Sequence, residues 1–250
     1  MAKGKRTGVC CICGNSGDLS FEHVPPKSAY NKETVIAYEW EEFLQQRKSK
    51  KKTIQGGAGD YTLCERCNNN TGSWYGDEYV TWARSCHDVM MIWQKHRITQ
   101  GIVTLKDVYP LRFLKQVVTC FFSLIGAPGV AAFANNNPDL VQFVLDKYNT
   151  NLPPGFRFFM NLYMYSAEGN TSLRRWAGAG KISIQMHGID ASIIDEIAHP
   201  PFQLVMTEDN DPFNGATEIT EFRNFAYDDQ VNLKLALRVV SSDSPYPSAG

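Results

Sequence analysis

Apolar positions along this chain change their period near residue 154. Across residues 68–97, Trp74, Tyr79, Trp82, Cys86, Val89, Met90 and Trp93 recur by threes and fours, which predicts a long helix with a buried aromatic stripe. Residues 108–125 predict a strongly apolar helix that Gly126-Ala127-Pro128-Gly129 stops, and residues 138–148 predict another. A mixed helical pattern covers residues 32–46, with Tyr38, Trp40, Phe43 and Leu44 as its apolar positions. Past Pro153-Pro154-Gly155, residues 157–166, 180–187, 202–207 and 231–240 are rich in aromatic, β-branched and aliphatic side chains between Gly, Asn, Asp and Pro, and predict strands. Residues 192–197 predict a short helical turn. The pattern predicts an α+β chain whose second half has helices first and a mainly antiparallel sheet after them. No internal repeat, P-loop or dinucleotide fingerprint is present.

With 250 residues, 43% of them hydrophobic, the chain can bury one large core or two small ones. We expect two domains, residues 1–99 and residues 100–250. No run approaches a membrane span, and Met1-Ala2-Lys3-Gly4-Lys5-Arg6 lacks the apolar stretch of a signal peptide, so the expected location is the cytoplasm. Seven cysteines, an odd number, suit a reducing compartment better than a disulfide framework. The net charge of −1 hides a polarity: residues 1–72 hold 11 Lys and Arg against 8 Asp and Glu, and the remainder 14 against 18. The basic half is the half that would meet nucleic acid.

Four of the cysteines form two pairs, Cys10-x2-Cys13 and Cys64-x2-Cys67. Four thiolates in this spacing suit one tetrahedral zinc with no open position, a structural ion that pins distant segments together. Cys11 offers a second register, but it stands only two residues from Cys13, so Cys10 is the preferred partner. Between the pairs lies Glu22-His23-Val24-Pro25-Pro26. A histidine beside a carboxylate on a metal-stapled scaffold suits phosphodiester hydrolysis with a second, catalytic metal.

Cys10-Cys13, Phe21-Glu22-His23-Val24-Pro25-Pro26-Lys27 and Leu63-Cys64-Glu65-Arg66-Cys67-Asn68-Asn69 resemble the HNH endonuclease family in its zinc-stapled form, over about residues 8–80. The resemblance implies a ββα-metal core and DNA as substrate. It implies His23 as general base, and Glu22 and Asn68 as ligands of a catalytic Mg2+ or Mn2+. Glu22 stands where the family more often carries Asp. Gly72 stands four residues past Asn68, where many members carry a second His, and Gly59 with Asp60 stands where many carry an Asn that orients the base. Lys27, and Lys50, Lys51 and Lys52 in the run 47–52, are the expected phosphate contacts. Similar modules with appended domains occur in restriction and phage-defence proteins. For residues 100–250 the expected role is recognition or assembly, with a second subunit or an effector as partner. Two other readings stand beside this one: a zinc-stapled nucleic-acid-binding module without catalysis, and a nuclease directed at RNA.

Overall fold

The structure is a computed structural model, and it describes residues 6–37, 52–125, 131–164, 177–178, 182–186, 189–193, 195–208 and 215–241. No helix among them is long and apolar enough to cross a membrane.

Arg6–Val9 (β1), Ser16–His23 (β2) and Gly59–Cys64 (β5) form a three-stranded antiparallel sheet in the order β1-β2-β5. The β2–β5 ladder slips at Ser20/Phe21, which leaves His23 opposite Gly59 and Glu22 opposite Asp60. The chain between these strands carries a small antiparallel ladder of Val35–Ala37 (β3) with Lys52–Ile54 (β4). The strand at 35–37 replaces the beginning of the helix expected over 32–46; residues 38–46 lie outside the described residues. Glu65–Thr71 (α1) leaves β5 directly and runs through a π-helical turn, Gly72–Gly76, into Asp77–His96 (α2). Together they fill the helical period read over 68–97. The helix stops at Arg97, whose left-handed φ of 55° ends the ladder.

The central helix is Pro110–Ile125 (α3). Leu111 and every residue from Phe113 to Ser123 are buried, including Lys115, Gln116, Thr119 and Ser123. A helix covered on all sides belongs inside a core. Ala132–Asn136 (α4) and Pro138–Leu145 (α5) follow it. A seven-stranded sheet completes the fold, with Gln100–Val108 (β6), Arg157–Met164 (β7), Ala177–Gly178 (β8), Asp195–His199 (β11), Phe202–Thr207 (β12), Thr217–Glu218 (β13) and Val231–Ser241 (β14). Its order is β6-β14-β7-β12-β11-β8, with β13 also on β7. All pairs are antiparallel except β14 with β7. Ile182–Met186 (β9) and Ile189–Ile193 (β10) form a separate hairpin.

Two expectations are corrected here. The sheet of the second half begins before its helices, at β6, where an exposed Ile102 beside a buried Val103 hides the strand's alternation in the sequence. The turn expected over 192–197 is strand on both sides of residue 194, in β10 and β11. Glu196, Ile197, Ala198 and His199 are all buried, so both faces of β11 are covered and the period-2 signal is erased.

One continuous set of buried residues runs from Cys10 and Ile12 through Trp82 and Phe113 to Leu237, without a break at residue 99. Trp82 of α2 stacks on Phe113 of α3 at 4.1 Å between ring centres, and the Tyr75 hydroxyl donates to Val144 O at 2.8 Å. The aromatic stripe of α2 is core: Tyr79, Trp82, Cys86, Met90 and Trp93 are buried.

Candidate metal centre and acid-histidine couplet

The knuckle between β1 and β2 is a tight turn, with Cys10 O accepting from Gly14 N and Cys10 N donating to Asn15 O, both at 2.9 Å. Gly14 supplies the left-handed φ of 70° that this turn needs. Cys64 ends β5 and Cys67 lies in the first turn of α1. The β-ladder brings the two knuckles together: the sulfur atoms of Cys10, Cys13, Cys64 and Cys67 all lie within 4.8 Å of one another. Cys13 Sγ and Cys64 Sγ are 3.8 Å apart. Sulfurs about 2.3 Å from a tetrahedral ion would be spaced about 3.8 Å apart, so the cluster fits a metal ion. The Cys10 and Cys67 thiols share a hydrogen bond that, against burial and with the backbone N–H groups of Cys64, Cys13 and Ile12, pulls Cys10 down while it pushes Cys67 up. Cys10 therefore favours thiolate, the form that binds metal. Cys11 is outside the cluster; burial, then the charges of Cys10 and Asp60, pushes its thiol up to about 11.

Successive residues of a strand face opposite sides, and the couplet at the end of β2 is divided accordingly. His23 shares its side with Phe21, edge-on at 4.9 Å, which in turn meets Tyr61 at 5.4 Å. His23 Nε2 lies 3.2 Å from Gly56 O. A carbonyl only accepts, so this bond puts the proton on Nε2 and leaves the lone pair of a neutral ring on Nδ1.

Glu22 points inward. It is 8% exposed, and burial raises its carboxyl to about 7. No hydrogen-bond or ion-pair partner for that carboxylate lies among the described residues, and Cys120 of α3 is close enough to feel its charge. A nearby divalent ion would reverse the effect of burial and hold the group charged. From α1, Asn68 Nδ2 donates to Ser20 Oγ at 3.0 Å and to Phe21 O at 3.4 Å. The amide therefore sits against β2 with Oδ1 as its acceptor end. Gly72, four residues on, has helical φ and ψ of −60° and −45° and open space around its Cα.

A residue that the sequence did not single out holds the couplet's loop together. Asn31 is fully buried; its Nδ2 donates to Pro25 O at 2.6 Å and Ala58 O at 2.8 Å, and its Oδ1 accepts from Ala58 N at 2.7 Å. One amide thus ties the chain leaving His23 to the chain returning beside it. Gly57 lies so close that a Cβ there would stand 2.1 Å from Asn31 O, and a Cβ at Gly59 would stand 2.0 Å from Glu22 O. No side chain fits at 59, and the buried amide that ties the two arms together stands on the opposite one. The sequence signal was the Gly56-Gly57-Ala58-Gly59 run, which marks close backbone approach as well as a turn.

Of the expected phosphate contacts, Lys27 is exposed on the turn after the prolines. Lys50 and Lys51 lie outside the described residues, and Lys52 opens β4 with its side chain outside them. Asp60 accepts from Tyr61 N and meets Arg6 at 3.4 Å, away from the base. Compared with protein-family sequence models, with curated proteins and with solved structures, the chain matches none, so its likeness to HNH endonucleases rests on its own residues.

Proposed function

We propose that this chain is a metal-dependent endonuclease of the HNH type that hydrolyses DNA phosphodiester bonds. The observation that carries the proposal is the convergence on one strand end. Glu22 and His23 finish β2, and Asn68 of α1 hydrogen-bonds onto Ser20 and Phe21 of the same strand. The four-cysteine cluster gathers the turn that leads into that strand, the end of β5 and the start of that helix. We assign the cluster a structural Zn2+, whose binding supplies folding free energy to a small module.

In the reaction, His23 takes a proton from the attacking water through Nδ1, while Gly56 O holds the ring by its Nε2–H. Asn31 fixes the backbone that carries this carbonyl. The Phe21 ring, itself packed on Tyr61, stands edge-on to the imidazole on one side. Glu22 and Asn68 would hold Mg2+ or Mn2+, which when bound supplies positive charge to the departing 3′ oxygen. An anionic, buried carboxylate and a neutral amide oxygen are both hard ligands suited to those ions.

The test is purified protein on supercoiled plasmid and on RNA, with Mg2+, Mn2+ or EDTA, beside His23→Ala. Metal-dependent nicking lost in His23→Ala supports the proposal; cleavage of RNA alone would transfer the mechanism to the RNA-directed reading. The burial of Glu22 and the vacant side-chain position at Gly72 favour a second reading, a zinc-stapled binding module without catalysis. Binding of DNA with no cleavage under any metal would establish that one.

A further inference from the structure

The turn that follows the couplet contains an unusual residue. Tyr30 has φ of 64°, the left-handed region that bulky side chains rarely adopt, and it is also one of the few large aromatic residues left exposed, at 39%. The turn is otherwise well held: Ala29 N donates to Pro26 O at 2.9 Å and Asn31 N to Lys27 O at 3.2 Å. Backbone strain kept in a well-fixed turn calls for a role that another residue would not fill. The ring of Tyr30 lies flat on His87 of α2, with centres 4.4 Å apart and planes 21° apart. His87 in turn is 3.8 Å from Asp88, and the phenol is within the electrostatic reach of Asp88 and Arg84. Arg84, His87 and Asp88 share one face of α2, and Arg84 is exposed, as is Lys27 in the Tyr30 turn.

The geometry assigns Tyr30, backed by His87, to a stacking platform for an unpaired nucleobase of the strand whose phosphate is attacked by the water that His23 deprotonates. The assignment rests on the nuclease reading and adds a contact to it. The left-handed backbone turns the ring away from the core, and Asn31, the next residue, is the amide that fixes the loop around His23. Aromatic stacking accepts any base, so the platform would hold a strand without reading its sequence. Lys27 and Arg84 flank it as phosphate partners.

The experiment uses the full chain in a His23→Ala background, which blocks turnover. Binding is measured to a single-stranded DNA oligonucleotide and to an abasic strand of the same length. The His23→Ala protein should prefer the strand with bases, and Tyr30→Asn should lose that preference, weakening the base-bearing strand roughly fivefold or more with little change for the abasic one. Tyr30→Phe should keep it. Asn tolerates a left-handed backbone, so Tyr30→Asn should melt close to its parent. Equal binding of both strands by the parent overturns the platform and leaves the nuclease reading standing. A Tyr30→Asn protein that melts far lower yet keeps the preference makes Tyr30 a loop anchor only. Failure to bind either strand overturns the platform, and the plasmid assay then decides the nuclease reading by itself.

Discussion

The Gly56 carbonyl meets Nε2 of His23, and the Asn31 amide ties the backbone at Ala58, two residues further on, to the arm that leaves His23. His23 and Asn31 should therefore fail differently. His23→Ala is expected to lower the cleavage rate by roughly 10²-fold to 10⁴-fold, the range for a positioned acid-base group, with DNA binding and metal content unchanged. Rates, filter binding and metal analysis on one preparation check this. Asn31→Ala leaves the Ala58 N–H and two carbonyls without their partner in a buried loop, at about 1–3 kcal/mol for each unsatisfied group. Its expected signature is a lower melting temperature together with a lower kcat, and Asn31→Asp should recover only part of either because Nδ2 is lost. The couplet was legible in the sequence because its chemistry requires two particular residue types side by side. Asn31 was not, because an asparagine in a polar loop looks like any other until its hydrogen bonds to Pro25 and Ala58 are seen.

The elements around the site show the same division. Two C-x2-C pairs announce their convergence in advance, since no other use of four thiols in that spacing is common. Cys64→Ser removes one ligand of the cluster and is expected to release the metal and unfold β1, β2, β5 and α1. Metal analysis with circular dichroism of the variant reads this out; unchanged folding without metal would refute the structural role. Gly72 is the converse case, a helical position with room and no side chain. Gly72→His should lower the Mn2+ concentration needed for half-maximal cleavage, and replacing a mid-helix glycine should not cost stability. The helices of the second half were legible through their period, whereas β6 and β11 were not. β6, nine residues long, sets an exposed Ile102 beside a buried Val103, so its apolar residues do not alternate in the sequence, and β11 is buried on both faces.

At the scale of the molecule, the buried core is shared across residue 99, and the stack of Trp82 on Phe113 is its hinge pin. Phe113→Ala is expected to cost about 3–5 kcal/mol in chemical denaturation, the usual loss for a buried phenyl ring. Residues 100–250 expressed alone would expose the face of α3 that α2 covers; we expect a protease-sensitive fragment, and a soluble, cooperatively melting one would establish the two-domain division. The core also contains a charge that it tolerates poorly. Lys115 is fully buried, with Nζ donating to Phe143 O and, at 2.7 Å, to Asp146 O at the end of α5. Burial pulls its pKa from 10.5 down to about 7, with the Asp146 charge opposing. Between those values the unfolded chain holds a proton that the folded chain has released, so this lysine's contribution makes stability rise with pH from about 7 to about 10.5. Below 7 its penalty is complete and flat. Denaturation midpoints across that interval should climb more steeply for the native protein than for Lys115→Met, and parallel slopes would contradict it.

The pins at the base of the loop divide the module into a fixed part and a replaceable one. Val24 N donates to Ala58 O, Asn31 bridges both arms, and Ala37 still faces Lys52 across the β3–β4 ladder. The described contacts that hold the His23 loop, Gly56 O, Ala58 and Asn31 among them, lie on the two arms outside residues 38–51. Loop closure depends only weakly on length, so a graft between Ala37 and Lys52 should change what is bound without changing how it is cut. On the nuclease reading the module is in that sense a socket, in which the chain between Ala37 and Lys52 is exchanged and the couplet kept.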